Sequence, residues 1–285
     1  MRRPAPLPVR DGLGPARVRL RGGAVLVELA DRFGEAAAAK VLNGEVFTAD
    51  GAVVTASTVL QPNSVVYLYR DLPDEIAVPF DVPVLHRDDN LVVVDKPHFL
   101  ATMPRGSHVA QTALVRMRRE LDLPQLSPAH RLDRLTAGVL VFTTRRQVRG
   151  AYQTMFARGD VSKTYLAQSS AGTDRDFPIT VRSRIIKRRG TLQAVEEPGE
   201  PNAETLVERV DDRTYRLMPR TGRTHQLRVH MNSLGLPIAG DPLYPNVIDV
   251  AVGDFSTPLK LLAQCLEFTD PLAGVRLRFT SERTL

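Results

Sequence analysis

A chain of 285 residues, 43% hydrophobic and 25% charged, can bury a sizeable core as one large domain or two smaller ones. No apolar run reaches about 18 residues, so a membrane-spanning helix and a membrane partner are not expected. Its single cysteine, Cys265, rules out a disulfide framework within the chain and fits a reducing cytoplasm.

Charge is unevenly spread. Residues 1–80 hold nine Lys/Arg and nine Asp/Glu; the other 29 basic and 23 acidic residues put the whole net charge of +6 in residues 81–285. The clusters Arg116-Met117-Arg118-Arg119, Arg145-Arg146 and Lys187-Arg188-Arg189 make a polyanion the expected partner of that part.

Residues 1–16 are rich in Pro and Gly, begin Met1-Arg2-Arg3-Pro4, lack the apolar stretch of a signal peptide and are expected to be flexible. Residues 17–75 predict a small module. It has an apolar helix at Val25–Phe33, an Ala-rich helix at Glu35–Leu42, a strand from Gly44 into the Asp50-Gly51 turn, and a closing strand at Val65–Tyr69. A linker over Asp71–Pro79 leads to a domain spanning 76–285.

That domain opens with the buried strand Leu91–Asp95, stopped at Lys96-Pro97. Val139–Phe142 reads as a second buried strand. Leu227, Met231 and Leu234 recur at helical spacing before Gly235, predicting a helix over Thr224–Leu234. Cys265, within Leu261–Leu266, reads as a core thiol. Strands and helices mix without βαβ repetition, which predicts an α+β domain with a largely antiparallel, partly mixed sheet. There is no nucleotide-binding Gly-rich fingerprint and no Cys/His metal spacing, so neither cofactor nor metal is expected. His225 and His230 stand about 140° apart around the predicted helix and share no face.

The stretch His130-Arg131-Leu132-Asp133-Arg134-Leu135-Thr136-Ala137-Gly138 carries the chemistry. A lone Asp is more often structural than catalytic. Asp133, however, stands between two guanidinium groups, which favour a charged carboxylate, on a turn running into the strand Val139–Phe142. Such a carboxylate suits a nucleophile or a general base. A tyrosine such as Tyr165, in Lys163-Thr164-Tyr165-Leu166-Ala167, reads equally well as a core residue of a strand. Arg223 and Arg228 read as phosphate contacts or surface charge.

Three segments together resemble the RluA-type pseudouridine synthases. These are His130–Gly138, matching H-R-L-D-x-x-T-[SA]-G; Lys163–Ala167, matching K-x-Y-x-A; and Leu217–His230, matching L-x-P-x-T-G-R-T-H-Q-[IL]-R-V-H. The resemblance covers roughly residues 82–285. It implies a pseudouridine synthase domain that isomerises uridine in ribosomal or transfer RNA without a cofactor. It makes Asp133, Tyr165 and Arg228 catalytic, with Tyr165 packed on the target base and Arg228 paired with Asp133. It gives RNA contacts to His130, Arg131, Thr136, Arg223 and His225, with Arg131 filling the space that the flipped base leaves.

Residues 17–75 resemble a small alpha-L RNA-binding module. Their second helix, Glu35-Ala36-Ala37-Ala38-Ala39-Lys40, lacks the usual basic residues, so the module reads as a degenerate, structural one. The family's Lys-Pro-x-Gly-Leu turn is here Lys96-Pro97-His98-Phe99-Leu100, without its glycine. The expectation is a monomeric cytoplasmic enzyme. Its rivals are an inactive RNA-binding protein of the same fold, which intact Asp133, Tyr165 and Arg228 argue against, and a glycosidase. The latter needs a second carboxylate near Asp133, which the motif does not supply.

Overall fold

A computed structural model describes residues 5–72 and 74–285, and the chain divides into two units, residues 1–74 and 75–285. The first contains β1 (Ala16–Arg19), β2 (Gly23–Ala24), α1 (Val25–Phe33), α2 (Glu35–Leu42), β3 (Phe47–Thr48), β4 (Val59–Leu60) and β5 (Val65–Leu68). Strands order as β1-β5-β3, all antiparallel, with β2 and β4 forming a separate pair. Val25, Leu29, Val41, Val46, Val54 and Val66 build its core.

The strand expected from Gly44 contracts to Phe47–Thr48. Gly44 and Gly51 adopt φ of 70° and 92°, and Gly51 N–H closes a turn on the Thr48 carbonyl at 3.1 Å. Part of the segment expected to be flexible, residues 5–16, makes contacts with the rest of the first unit. The Tyr69 hydroxyl donates to the Pro8 carbonyl at 2.8 Å, Arg10 lies 4.2 Å over the Tyr69 ring, and Ala16 already belongs to β1. Residues 1–4 lie outside the described residues.

The second unit contains β6 (Val84–Arg87), β7 (Leu91–Lys96), α3 (Ala113–Glu120), β8 (Ser127–Pro128), β9 (Ala137–Thr143), α4 (Arg146–Arg158) and β10 (Val161–Gln168). There follow β11 (Ile179–Ile186), β12 (Val195–Glu197), β13 (Ala203–Arg209), β14 (Thr214–Pro219), α5 (Gln226–Ser233), β15 (Leu261–Thr269) and β16 (Arg276–Thr280). One sheet of 11 strands runs β12-β11-β13-β14-β10-β15-β9-β7-β6, with β16 beside β15 and β8 beside β9. Every pairing is antiparallel except β9 with β15, so the sheet is mixed but largely antiparallel, as expected. Among the described residues no helix is long and apolar enough to cross a membrane.

The continuous apolar runs of β7 and β9 follow from burial on both faces. Leu91, Val93, Val139 and Val141 pack with Val148, Tyr152 and Met155 of α4. Val92, Val94, Leu140 and Phe142 face the larger core, shared with Leu114 and Met117 of α3 and Leu227 and Met231 of α5. Cys265 is buried on β15.

Two irregularities shape the sheet. On one edge β9 meets β15 only at Ala137–Gly138 and β8 only at Phe142–Thr143, and the loop 129–136 joins β8 to β9. Secondly, β10 and β15 slip register: Thr164 faces Cys265 but Tyr165 faces Ala263, so Gln264 has no opposite residue.

The missing glycine of the Lys96–Leu100 turn is replaced in conformation, not only in sequence. Phe99 itself takes φ of 65°, and its buried ring packs on Phe255 and Phe80 at 5.3 and 6.2 Å between centroids. Packing of an aromatic ring offsets backbone strain that costs about 1–3 kcal/mol.

Gly138 has no such substitute. Its φ is 111°, and a Cβ there would overlap the Ala263 backbone across the parallel pair. Gly138→Ala is expected to cost about 3 kcal/mol or more, combining backbone strain with a clash against main chain. Urea unfolding of the two proteins measures it.

Candidate active site

Asp133 stands on the loop between β8 and β9, and the chain on either side of it is pinned. The Thr102 hydroxyl donates to the Leu132 carbonyl at 2.8 Å and accepts the Leu132 N–H at 3.1 Å. The Lys96 ammonium donates to the Arg134 carbonyl at 3.3 Å and to the Pro97 and Leu100 carbonyls at 2.9 and 2.8 Å. His98 Nδ1–H donates to the Leu135 carbonyl at 2.7 Å, and Thr136 N–H closes the turn on the Asp133 carbonyl at 3.1 Å. The segment after β7 therefore holds residues 132, 134 and 135 by their backbones. The half-buried Asp133 carboxylate itself makes no hydrogen bond or ion pair among the described residues.

Lys96 is fully buried at the end of β7. Burial pushes its pKa down to about 7; the charge of Asp133 works the other way, and Arg283 and Arg134 add to the fall.

Asp133 opens onto a cleft of about 560 Å³ that also receives Tyr165, Arg131, Arg223, His225 and Arg228. Tyr165 comes from β10 at the register slip. Burial, then the nearby Asp133 charge, pushes its phenol upward, so the hydroxyl keeps its proton. Arg131 is exposed, with no ion pair among the described residues. Arg223 is exposed and spends Nε on the Asn202 carbonyl at 3.0 Å.

One sequence expectation changes, and two other site residues prove to hold the fold as well. Arg228 does not pair with Asp133: its Nε and Nη2 donate to the two carboxylate oxygens of Asp241 at 2.7 and 2.5 Å. Both partners are buried, so each neutralises the other's desolvation cost, and Asp241 also accepts the N–H groups of Leu243 and Tyr244. His130 lines the cleft but is also engaged in the fold. Its Nε2 accepts the Val141 N–H at 3.2 Å, so the ring completes the β9 ladder, and it stacks on Phe156 at 4.4 Å. Burial, helped by the Lys163 charge, pushes its pKa down to about 3, so it is neutral. Thr136, only 3% exposed, lines the cleft and closes the turn after Asp133.

Helix α5 is shorter than the predicted Thr224–Leu234. His225 lies outside it at the N-cap, in the left-handed region at φ 58°. His225 Nδ1 contacts the Tyr244 hydroxyl at 2.9 Å, whereas His230 is buried between Thr205 and Ser183 at 2.9 and 3.1 Å. Between them Gln226 ties the Arg223 N–H, the Thr221 hydroxyl and the Glu204 carbonyl together. Sequence reasoning passed over Lys96, His98, Thr102 and Gln226. The one available signal was a lysine closing a buried strand after the apolar run Leu91–Val94.

Asp241→Asn is expected to destabilise the fold by roughly 3–5 kcal/mol, because it leaves a buried guanidinium unpaired. Asp133→Asn should cost no more than about 1 kcal/mol. Urea unfolding separates the two; equal losses would restore an Arg228–Asp133 pair. Lys96 adds a pH signature. Unfolded, it holds its proton to about pH 10; folded, it releases it near 7. Between these values the unfolded state binds more protons, so this residue makes stability rise with pH. From pH 7 to 9 the wild type should gain about 2 kcal/mol relative to Lys96→Met.

Residues 90–233 match the family model described as RNA pseudouridylate synthase. The dual-specificity RNA pseudouridine synthase RluA of Salmonella typhi is 34% identical over 208 residues, covering 69% of this chain and 90% of that protein. The mitochondrial tRNA pseudouridine(32) synthase of Saccharomyces cerevisiae is 30% identical over 230 residues, 77% of this chain but only 49% of that protein, so the chain spans about half the yeast relative. A solved structure, human RNA pseudouridylate synthase domain containing 1, superposes with a TM-score of 0.58 over 74% of this chain and 86% of that one; at 23% identity it speaks to the fold. Motif, fold and relatives agree: the chain belongs to the RNA pseudouridylate synthase family, in its RluA-type branch.

Proposed function

We propose that this protein converts uridine to pseudouridine in ribosomal or transfer RNA, with Asp133 as the essential group. The observation that carries the reading is a carboxylate left without a protein partner, on a loop fixed from behind, facing a cleft beside an un-ionised tyrosine. Structural carboxylates here are consumed by partners, as Asp241 is by Arg228 and Asp95 by Ser281, Glu282 and Arg283. A carboxylate held in place yet unspent is available for a reacting atom.

In the reaction the bond from C1′ to uracil N1 breaks, the base turns, and a C1′–C5 bond forms. C5 gives up its proton and N1 gains one, so nothing is oxidised and no group comes from outside. Asp133 acts at the ribose, as nucleophile at C1′ or as base at the neighbouring carbon. Uracil stacked in a helix hides its glycosidic bond, so the base must leave the stack. Tyr165 offers a ring against the flipped base, and exposed Arg131 offers a planar cation for the space left behind. Arg223 contributes a guanidinium at the cleft edge. Arg228, tied to Asp241, supports the floor of the site.

The enzyme is proposed to act as a monomer. An RNA substrate and a single cysteine support a cytoplasmic setting. The first unit serves as structure more than RNA grip: Lys40, the only basic residue of α2, is held by Asp71 at 2.7 Å and Glu45 at 3.5 Å.

Asp133→Asn should lower isomerisation at least about 10³-fold with near-normal RNA affinity, since the amide keeps the shape and loses the basicity. Tritium release from uracil-labelled RNA reports turnover. Substantial activity in the variant would remove Asp133 from the chemistry.

A further inference from the structure

The hydrogen-bond count around Tyr244 fixes a feature of the cleft that no motif reveals. Its buried hydroxyl lies 2.9 Å from the Ala194 carbonyl, 2.7 Å from the Ala194 N–H and 2.9 Å from His225 Nδ1. A phenol has one hydrogen and two lone pairs. The carbonyl has no hydrogen, so the phenol must donate to it. The phenol then accepts twice, from the Ala194 N–H and from His225 Nδ1–H. His225 therefore carries its hydrogen on Nδ1, and in the neutral ring Nε2 is a lone-pair acceptor.

Two further observations aim that acceptor at the substrate. His225 lines the cleft with Asp133, and Nε2 has no partner among the described residues. Its backbone sits in the left-handed region at φ 58°, which few non-glycine residues occupy. Burial, with Arg228 and Lys187, lowers its pKa against the opposing charges of Asp133 and Asp241, so the ring stays neutral near pH 7.

We propose that His225 is a positioning and specificity residue whose Nε2 accepts a hydrogen bond from the flipped nucleotide beside Asp133. The donor is either uracil N3–H, which cytosine lacks, or the ribose 2′-hydroxyl, which DNA lacks. This rests on the pseudouridine synthase reading.

Two measurements on the full chain test it. In 15N spectra of histidine-labelled protein at pH 7.5, with His225 assigned through His225→Gln, Nδ1 should be protonated and Nε2 bare. Protonated Nε2 overturns the proposal. Tyr244→Phe should release the ring to a mixture of tautomers.

Next, stem-loops carrying a uridine that the enzyme converts are made unmodified, 2′-deoxy at that nucleotide, or N3-methylated there. His225→Phe should slow single turnover on the unmodified RNA on the order of 10- to 100-fold. One of the two altered RNAs should slow the wild type by a similar factor and be slowed no further by His225→Phe; that arm names the donor. His225→Gln, checked for folding by thermal melting, repeats the comparison. If losses multiply on both altered RNAs, no donor reaches His225 and the proposal is wrong. If no RNA shows Asp133-dependent turnover, it is the synthase reading that fails, and the 15N spectra still judge the tautomer.

Discussion

A single buried ammonium organises this site. Lys96 closes a strand whose four apolar residues, Leu91–Val94, pack between two cores, and it finds no carboxylate within reach of an ion pair among the described residues. It resolves its desolvation by gathering three backbone carbonyls from two segments, and one of these is the residue after Asp133. Thr102 and His98 do the same for the residues on either side. The Asp133 loop is thus held by its main chain alone. That arrangement frees its one acidic side chain, which a salt bridge would have consumed.

Behind the cleft a second network is built on the opposite plan. Arg228 and Asp241 satisfy each other in the interior, the Asp241 carboxylate sets the turn that carries Tyr244, and Tyr244 orients His225. Charge is neutralised in the floor while polar groups reach the cleft uncharged or unpartnered. A low-dielectric site lined this way strengthens whatever interactions the substrate completes.

Much of this was legible beforehand, for identifiable reasons. The strands Leu91–Lys96 and Ala137–Thr143 announced themselves because burial on both faces leaves an unbroken apolar run, and α5 because its apolar residues recur at helical spacing. Asp133 stood out because two arginines flank it. The mistakes also have physical causes. Arg228 lies in a motif that names a cation but not its partner, and Asp241, 13 residues onward, arrives only through folding. Side chains that bind backbone carbonyls, as Lys96 and Thr102 do, leave no periodicity to read. Phe99 breaks the rule that a left-handed turn wants glycine, because stacking partners from distant segments compensate it.

Gln264, which has no opposite residue on β10, marks a change of phase in the sheet. Val161 and Tyr165 are four residues apart on one strand, an even interval that in regular β structure places both side chains on the same face. Yet Val161 joins the core under α4 while Tyr165 packs on the opposite side. The odd residue in β15 acts as a phase shift, letting one strand seal the rear core with its first half and bring Tyr165 to the cleft with its second. A chain without that one residue would keep Lys163–Ala167 letter for letter and yet turn Tyr165 toward the core under α4.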